Sequence, residues 1–296
     1  MKNTLSLSIG IPAYNEEANI KSLLESLLQQ QTEGYSLKEI IVISDGSTDQ
    51  TIQKVKELQD KRITVISFSQ KKGKSYRLNQ LFQLFQGDVL FLLDADVLIT
   101  DTQLFSTIIK KTNFKKDGIV SVNAEPLPAH TFFEKILASS VFVLKEIAGK
   151  WNNGKNYLAF KGCFLGFDKT LAQSICIPNN VVNDDAYLYF FARKKGFQSR
   201  YIQDATLFYK SPTSFTDHLK QSSRYQNSQQ ELEKYFTNLQ KEYTIPRAIY
   251  LKSILHYFIQ NPIYLSCYII VRYMAKFKRE KKIKSAWSVA VSTKNI

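Results

Sequence analysis

The stretch VLFLLDAD, residues 89–96, decides the fold of this 296-residue chain. Its first five residues are all apolar, and a short apolar run of this kind is typical of a strand that is buried on both faces of a parallel sheet. The run ends at Asp94 and Asp96, two carboxylates separated by one residue. Because ligands bind at the carboxyl ends of the strands in open α/β sheets, the stretch predicts an α/β core with an acidic site at one edge.

Short apolar strands alternate with amphipathic helices before this stretch. Three further strands are predicted at residues 5–11, 39–43 and 63–68. Apolar residues recur at helical spacing after each of them. The first hundred residues therefore read β-α-β-α-β-α-β, which predicts a doubly wound sheet with right-handed crossovers. We expect residues 12–16, 44–47 and 94–96 to lie along one edge of that sheet.

The composition excludes a disordered chain and indicates an anionic partner. Hydrophobic residues make up 44% of the chain and charged residues 22%, which are ordinary values for a folded globular protein. The net charge of +14 favours nucleic acid, anionic lipid or a phosphate-bearing substrate as partner, although a Lys-rich proteome would give the same balance. Seven basic residues near the end form one block, opposed only by Glu280: Arg272, Lys276, Lys278, Arg279, Lys281, Lys282 and Lys284.

The three cysteines, Cys163, Cys176 and Cys267, are too far apart for a disulfide framework or a zinc-binding spacing. This usage favours a reducing, cytoplasmic location. Polar residues such as Asn3 and Ser6 interrupt any apolar run at the start, so no signal peptide is expected.

The pattern changes after residue 100. Strands are predicted at residues 118–124, 157–167 and 197–209, and helices at 132–147, 184–195 and 215–236. The segment 249–274 is markedly apolar and aromatic. We therefore predict a domain at 1–235 made of two parts, 1–100 and 101–235, and a helical C-terminal segment at 236–296.

Asp94 and Asp96 are the candidate metal ligands. Two carboxylates at a sheet edge can hold a hard divalent cation, Mg²⁺ or Mn²⁺, through oxygen ligands. Such a cation bridges a diphosphate and neutralises a leaving nucleoside diphosphate. An isolated Asp-x-Asp is more often a solvated acidic turn, but its position after an apolar strand of a βα core favours the metal.

Three charged residues lie at other predicted strand and helix ends. Asp45 follows the second strand, where its carboxylate can accept a hydrogen bond from a base or a ribose hydroxyl. The alternative for Asp45 is a place in a helix-capping turn. Lys74 and Arg77 lie at the start of the third helix, where they either meet diphosphate charge or form a solvated basic face.

Asp184 and Asp185 open a later helix. Acidic residues in a first helical turn often only complement the helix dipole. The functional alternative is a general base that deprotonates an acceptor hydroxyl. A second carboxylate beside it would raise the pKa of that base towards its working range.

Four motifs in this order resemble those of the family 2 glycosyltransferases of the GT-A fold. They are SIGIPAYNEE at 8–17, ISDGSTDQT at 43–51, GKSYRLN at 73–79 and LLDAD at 92–96. The resemblance covers about residues 5–235. It implies that 1–235 is a catalytic domain, with a nucleotide-sugar-binding half at 1–100 and an acceptor half at 101–235. It implies a nucleotide pocket lined by Pro12, Tyr14 and Glu16, with Asp45 in contact with the base.

The resemblance also assigns the acidic residues further along the chain. It implies that Asp94 and Asp96 form the metal and diphosphate motif. The run NDDAYLY at 183–189 resembles the acidic pair of the family, so Asp185 is implied as the catalytic base and Asp184 as its neighbour.

Two further segments resemble parts of the polysaccharide-synthase branch. The run QSSRY at 221–225 is similar to its Q-x-x-R-W signature and implies acceptor or diphosphate contacts for Gln221, Arg224 and Tyr225. Tyr225 stands where that branch has Trp, and few membrane helices are predicted, which argues against processive synthesis. The run KGCFLG at 161–166 resembles the glycine-containing acceptor loop of the family.

Together these patterns predict an inverting, metal-dependent glycosyltransferase of the hexosyltransferase type on a GT-A-type, doubly wound core with a mixed sheet. The family implies a UDP-sugar donor most often. We expect the acceptor to be a lipid-linked glycan or a polysaccharide, because the C-terminal segment indicates a membrane.

The apolar C-terminal segment is long enough to reach across a bilayer but is interrupted by polar residues and a proline. These are Lys252, His256, Gln260, Asn261 and Pro262. Charged and polar residues are costly in hydrocarbon, so we expect interfacial helices with the basic block on anionic lipid. The protein would then be peripheral or monotopic on the cytoplasmic face. The alternative is a helix packed on the catalytic domain.

Two other functions share some of these features. A sugar-phosphate nucleotidyltransferase would have a Gly-rich loop after the first strand, where this chain has PAYN at 12–15. A basic nucleic-acid-binding protein would interleave aromatic and basic residues on one surface. Here the basic block follows an apolar segment instead, so no nucleic-acid partner is expected.

Overall fold

The computed structural model describes residues 4–179, 181–226, 228–237, 239–277 and 293–294, without the side chains of 220, 223–226, 241 and 275–277. In this part of the chain eight strands form one sheet. They are β1 Leu5–Ala13, β2 Tyr35–Asp45, β3 Ile63–Phe68, β4 Val89–Leu93, β5 Val97–Leu98, β6 Ile119–Pro126, β7 Phe164–Asp168 and β8 Ser199–Tyr209. Their order across the sheet is β3-β2-β1-β4-β7-β6-β8-β5.

The helices cover both faces of this sheet and continue beyond it. They are α1 Ile20–Leu28, α2 Thr51–Lys56, α3 Lys74–Leu84, α4 Leu104–Lys111, α5 Phe114–Asp117, α6 Phe132–Lys150, α7 Lys169–Ser174, α8 Asp184–Lys194, α9 Phe215–Gln226, α10 Ser228–Leu232, α11 Leu239–Tyr243, α12 Arg247–Gln260 and α13 Pro262–Phe277. Short 3-10 turns lie at Trp151–Gly154 and Tyr157–Ala159.

The first four strands form the parallel half of the sheet. β1 pairs in parallel with β2 on one side and with β4 on the other, and β2 pairs in parallel with β3. β7 then joins β4 in the antiparallel direction, which makes the sheet mixed. The predicted α/β core with a mixed sheet is therefore confirmed.

The apolar run of β4 is explained by its position at the centre of the sheet. Phe91 belongs to the core cluster on one face, where its ring lies 5.2 Å from that of Phe105 and 5.0 Å from that of Phe164. Leu90 and Leu92 belong to the cluster on the opposite face. All five residues of the strand are buried, so every position must be apolar.

Two predicted elements differ from the structure. A strand over 157–167 was expected, but the strand begins only at Phe164. Asn156 caps a 3-10 turn there, because its Oδ1 accepts a hydrogen bond from Leu158 N and its Nδ2 donates to the carbonyls of Ala148 and Trp151. A local side-chain hydrogen bond of this kind competes with strand pairing.

The predicted helix at 215–236 also ends early. The helical part stops at Leu232, and Phe236 lies beyond it with its ring 5.2 Å from that of Tyr187. Phe236 and Leu239 are both buried in the core cluster that contains α8. The division of the chain at residue 235 stays a prediction, and this core extends beyond it.

The helices α12 and α13 pack on α6 through one side and expose apolar residues on the other. Leu265 of α13 is buried against Val143 and Ile147 of α6. Six aliphatic side chains of α12 and α13 are more than half exposed: Leu251, Leu255, Ile259, Ile263, Ile269 and Ile270. Within the described residues, none of the helices has the length and apolar character needed to cross a membrane.

Candidate active site

Hydrogen bonds join the turns that follow β1 and β2 at one edge of the sheet. Asn15 Oδ1 accepts a hydrogen bond from Thr48 N at 2.8 Å. Glu16 N donates to Thr51 Oγ1 at 2.7 Å. Asn15 adopts a φ of 53°, in the left-handed region that Asn tolerates better than most residues. The first two predicted nucleotide-binding segments are therefore neighbours in space.

Asp45 is fully buried at the end of β2. Its carboxylate accepts hydrogen bonds at 2.8 Å from the backbone N–H groups of Lys72 and Gly73, and at 2.6 Å from Arg77 Nε. The other two guanidinium nitrogens of Arg77 bond to the side chain of Gln80 and to a backbone carbonyl. Asp45 thus holds the loop before α3 in place, and its contact with a base stays a prediction.

The prediction that Arg77 meets a diphosphate is wrong. The Arg77 side chain is only 1% exposed, and each of its nitrogens has a partner inside the protein. Its guanidinium also stacks on the ring of Phe68, 4.0 Å from the centroid. Arg77 holds Asp45 through a buried ion pair and does not face a substrate.

The ammonium of Lys74 lies between two predicted site carboxylates. Lys74 Nζ is 2.6 Å from Asp94 Oδ1 and 3.5 Å from Asp184 Oδ2. Lys74 is the first residue of α3, Asp94 follows β4, and Asp184 is the first residue of α8. Pro12 lines the same open cavity as these three side chains. Four predicted site residues from distant parts of the chain therefore meet at one place.

The negative charges of two neighbouring carboxylates, Asp94 and Glu16, act on Asp96. Burial, followed by the charges of Asp94 and Glu16, raises the pKa of Asp96 to about 7. A divalent cation bound here would relieve that repulsion.

The residues fit a metal that is shared with a substrate. Within the described residues, no three His, Cys, Asp or Glu side chains form a complete metal site. Mg²⁺ and Mn²⁺ commonly use one or two carboxylates together with substrate phosphates and water. Asp94 and Asp96 supply such a pair of carboxylates just after the end of β4.

Asp185 lies beside this cluster in the first turn of α8. Its Oδ2 accepts a hydrogen bond from Gly162 N at 3.1 Å, and its Oδ1 accepts one from Ala186 N at 2.8 Å. Burial and, second, the charge of Asp184 raise the pKa of Asp185 to about 6. A carboxylate with this pKa can accept a proton near neutral pH, which is what a general base requires.

Two lysines that the sequence patterns did not indicate lie against Tyr14 and Glu16. Lys71 Nζ is 3.6 Å from the centroid of the Tyr14 ring. Lys294 Nζ is 2.6 Å from Glu16 Oε1 and donates to the carbonyl of Tyr14. Lys294 stands 278 residues from Glu16 in the sequence, so only the folded chain reveals this contact.

The predicted acceptor or diphosphate residues lie on α9. Gln221 is half-buried on this helix. The side chains of Arg224 and Tyr225 lie outside the described residues, so their predicted roles stay predictions. The run at 161–166 contacts the site through Gly162. A Cβ added at this position would lie 3.1 Å from Lys74 Nζ.

Comparison with known protein families identifies the chain. Residues 8–161 match the family model described as glycosyl transferase family 2. This match covers just over half of the chain, which therefore belongs to glycosyl transferase family 2.

Curated relatives match parts of the chain. The putative glycosyltransferase CsbB of Bacillus subtilis (strain 168) is 39% identical over 117 residues, which cover 39% of this chain and 35% of that protein. The poly-beta-1,6-N-acetyl-D-glucosamine synthase of Staphylococcus aureus (strain COL) is 27% identical over 205 residues, covering 64% of this chain and 46% of that protein. The chain thus spans about a third to a half of the length of these relatives.

Solved structures with the GT-A fold resemble this one. The mannosyltransferase PcManGT from Pyrobaculum calidifontis, in complex with GDP-Man and Mn²⁺, has a TM-score of 0.60 at 17% identity, covering 93% of this chain and 76% of that one. The glucosyl-3-phosphoglycerate synthase from Mycobacterium tuberculosis, in complex with Mn²⁺, UDP and phosphoglyceric acid, has a TM-score of 0.56 at 16% identity, covering 77% and 78%. At this identity the likeness shows the fold alone.

Proposed function

We propose that the chain is an inverting glycosyltransferase of the hexosyltransferase type. It transfers a sugar from a nucleotide-sugar, with a UDP-sugar as the favoured donor, to a hydroxyl of a lipid-linked glycan or polysaccharide. The observation that carries the proposal is the meeting of Lys74, Asp94 and Asp184 in one cavity beside Asp185. Membership of glycosyl transferase family 2 supports the reaction class.

Asp185 accepts the proton of the acceptor hydroxyl in this scheme. Its pKa near 6 leaves most of the carboxyl ionised at neutral pH, and the amides of Gly162 and Ala186 hold it in position. The acceptor oxygen forms a bond to the anomeric carbon while the bond from that carbon to the diphosphate oxygen breaks. Attack from the opposite side inverts the configuration at that carbon.

Lys74 and the start of α3 meet the leaving diphosphate in this scheme. Lys74 opens α3, so its ammonium and the first N–H groups of that helix favour an anion there. Mg²⁺ or Mn²⁺, held by Asp94 and Asp96 when bound, supplies electrostatic stabilisation of the departing nucleoside diphosphate. The solved structures in complex with Mn²⁺ support a divalent metal in this fold.

A donor screen tests the reaction. Release of UDP or GDP is measured from a panel of nucleotide-sugars, with and without Mn²⁺, for the wild type and Asp185→Asn. We expect the variant to keep donor binding in calorimetry and to lose transfer by a factor of about 10² to 10⁴, the usual contribution of a general base. Asp204→Asn, a change at an exposed carboxylate, is the matched control. Loss of donor binding in Asp185→Asn would instead place this residue in the nucleotide site.

We further propose that the protein acts at an anionic membrane surface, on the cytoplasmic face. The exposed aliphatic residues of α12 and α13 provide an apolar face, and Arg272 is exposed on α13. The basic block continues from Arg272 in the sequence, and the side chains of its other members lie outside the described residues. An apolar face next to clustered cations suits interfacial binding.

Flotation with liposomes tests this location. Ile259 and Ile263 are 73% and 66% exposed, and burying each in a bilayer contributes about 1.5 kcal/mol. Replacing both with Ser should therefore weaken binding to anionic liposomes about a hundredfold. Leu84→Ser changes an exposed aliphatic residue on α3 and should leave binding unchanged. Wild-type protein that does not float at low salt would refute the proposed membrane surface.

A further inference from the structure

Lys294 joins the end of the chain to the turn after β1. Its Nζ donates hydrogen bonds to the carbonyls of Tyr14 and Asn15, the latter at 2.7 Å, and lies 2.6 Å from Glu16 Oε1. The backbone carbonyl of Lys294 accepts a hydrogen bond from Asn19 Nδ2 at 3.0 Å. The Lys294 side chain is only 14% exposed. The ammonium therefore has three acceptors in one turn, and the backbone carbonyl of Lys294 forms a further hydrogen bond with Asn19.

The ion pair between Lys294 and Glu16 neutralises negative charge at this edge of the sheet. Burial raises the pKa of Glu16 above its usual value, and the ammonium of Lys294 is the strongest influence in the opposite direction. The charge of Glu16 also acts on Asp96, and that of Asp94 acts on Glu16. A nucleotide-sugar is itself an anion, so an uncompensated Glu16 would repel it from this edge.

We propose that Lys294 is a positioning residue of the donor site, which holds the turn carrying Tyr14 and Glu16 and neutralises Glu16 for an incoming nucleotide-sugar. The inference rests on the proposed function, because it takes these two residues to line the nucleotide pocket. It adds to that function a contribution from the C-terminal end of the chain.

The geometry favours positioning over competition with the nucleotide. Two of the three acceptors of Lys294 are backbone carbonyls, so its bonds fix the conformation of the turn. Its Nζ lies 5.6 Å from the centroid of the Tyr14 ring, whereas Lys71 Nζ lies against that ring at 3.6 Å. Lys294 is therefore held by the backbone of the turn and not by the Tyr14 ring.

Nucleotide binding to the full chain tests the inference. UDP and GDP are titrated separately, each with Mn²⁺, into the wild type, Lys294→Gln and Lys294→Arg. We expect Lys294→Gln to weaken binding about tenfold, within the range of couplings between neighbouring sites. Lys294→Arg should keep most of the affinity, because a guanidinium also donates to carbonyls and a carboxylate. In turnover assays Lys294→Gln should raise the KM for the donor and leave kcat nearly unchanged.

A double-mutant cycle separates this role from a general effect on folding. In the Glu16→Gln background, Lys294→Gln should cost less binding than in the wild type, because only the bonds to the carbonyls of Tyr14 and Asn15 are then lost. Lys110→Gln, which changes an exposed lysine paired with Glu33, is the matched control. Equal nucleotide binding by the wild type and Lys294→Gln would overturn the inference and leave the proposed function intact. Tighter binding by Lys294→Gln would overturn it too, and would make Lys294 a competitor of the nucleotide. A wild type that binds neither nucleotide would refute the donor site itself and the inference with it.

Discussion

Replacing Asp184 with Asn should move the acid limb of the pH–rate profile to lower pH. Asp185 can act as a base only when it is ionised, so the rate falls as the pH drops through its pKa, which is about 6. The charge of Asp184 is the second cause, after burial, that raises this pKa. Its removal therefore stabilises the ionised form of Asp185 and extends activity to more acidic conditions.

Coulomb's law sets the size of this shift. Two unit charges about 8 Å apart repel by about 2 kcal/mol at an effective dielectric constant of about 20, and by about 0.5 kcal/mol in water. A value near 1.4 kcal/mol corresponds to about one pH unit. Lys74 keeps its 2.6 Å contact with Asp94 when Asp184 is neutral, so its favourable effect on Asp185 remains. We expect the midpoint to fall by about one pH unit.

The measurement is kcat/KM for the acceptor between about pH 4.5 and 8.5, at saturating donor and metal, because this parameter reports groups of the enzyme before the acceptor binds. Asp204→Asn removes the same charge from a side chain that is 68% exposed, and its midpoint should match the wild type. A midpoint for Asp184→Asn that is unchanged or higher would refute the assignment of Asp185 as the base.

Two further predictions concern Asp96 and Arg77. Asp96→Ala should abolish transfer and the metal-dependent part of nucleotide binding while leaving the urea midpoint close to that of the wild type; full turnover in Mg²⁺ or Mn²⁺ would contradict the metal assignment. Arg77→Met should lower the free energy of unfolding by about 3 kcal/mol, because it leaves a buried carboxylate without its cation. Arg62→Met breaks an ion pair whose arginine is 37% exposed, so it should cost less than about 1 kcal/mol in the same urea titration. Equal losses for the two arginine variants would show that burial does not govern these pairs.

The central part of the fold could be predicted because local and global signals agree there. The strand at Val89–Leu93 is apolar at every position, and the structure buries each of them. Periodicity likewise indicates the helices between the first four strands. The strand expected over 157–167 begins only at Phe164, because one side chain, that of Asn156, satisfies the backbone locally before it. Such a bond leaves no trace in the hydrophobic pattern.

The candidate site was predictable residue by residue but not as an arrangement. The motifs indicated Lys74, Asp94 and Asp184 separately, and only the packing of α3 and α8 around the end of β4 brings the Lys74 ammonium within 3.5 Å of both carboxylates. Arg77 shows the reverse case. It shares a motif with Lys74, yet three residues further along α3 its side chain points into the core and binds Asp45. Helical spacing predicts which residues share one face of a helix. Only the folded structure shows which elements pack against that face.

The C-terminal part of the chain has two separable contributions, which determine how it must be tested. Its helices α12 and α13 carry the exposed apolar face, whereas Lys294 contacts the turn that holds Tyr14 and Glu16. A deletion from residue 249 onward would remove both, so a loss of activity in that variant could not be assigned to the membrane. Point variants separate the two contributions: Ser at the exposed aliphatic positions should change liposome binding and leave nucleotide affinity intact, whereas Lys294→Gln should do the reverse. The proposed donor site therefore includes a residue from beyond α13, because Lys294 contacts the edge of the sheet where the donor is proposed to bind.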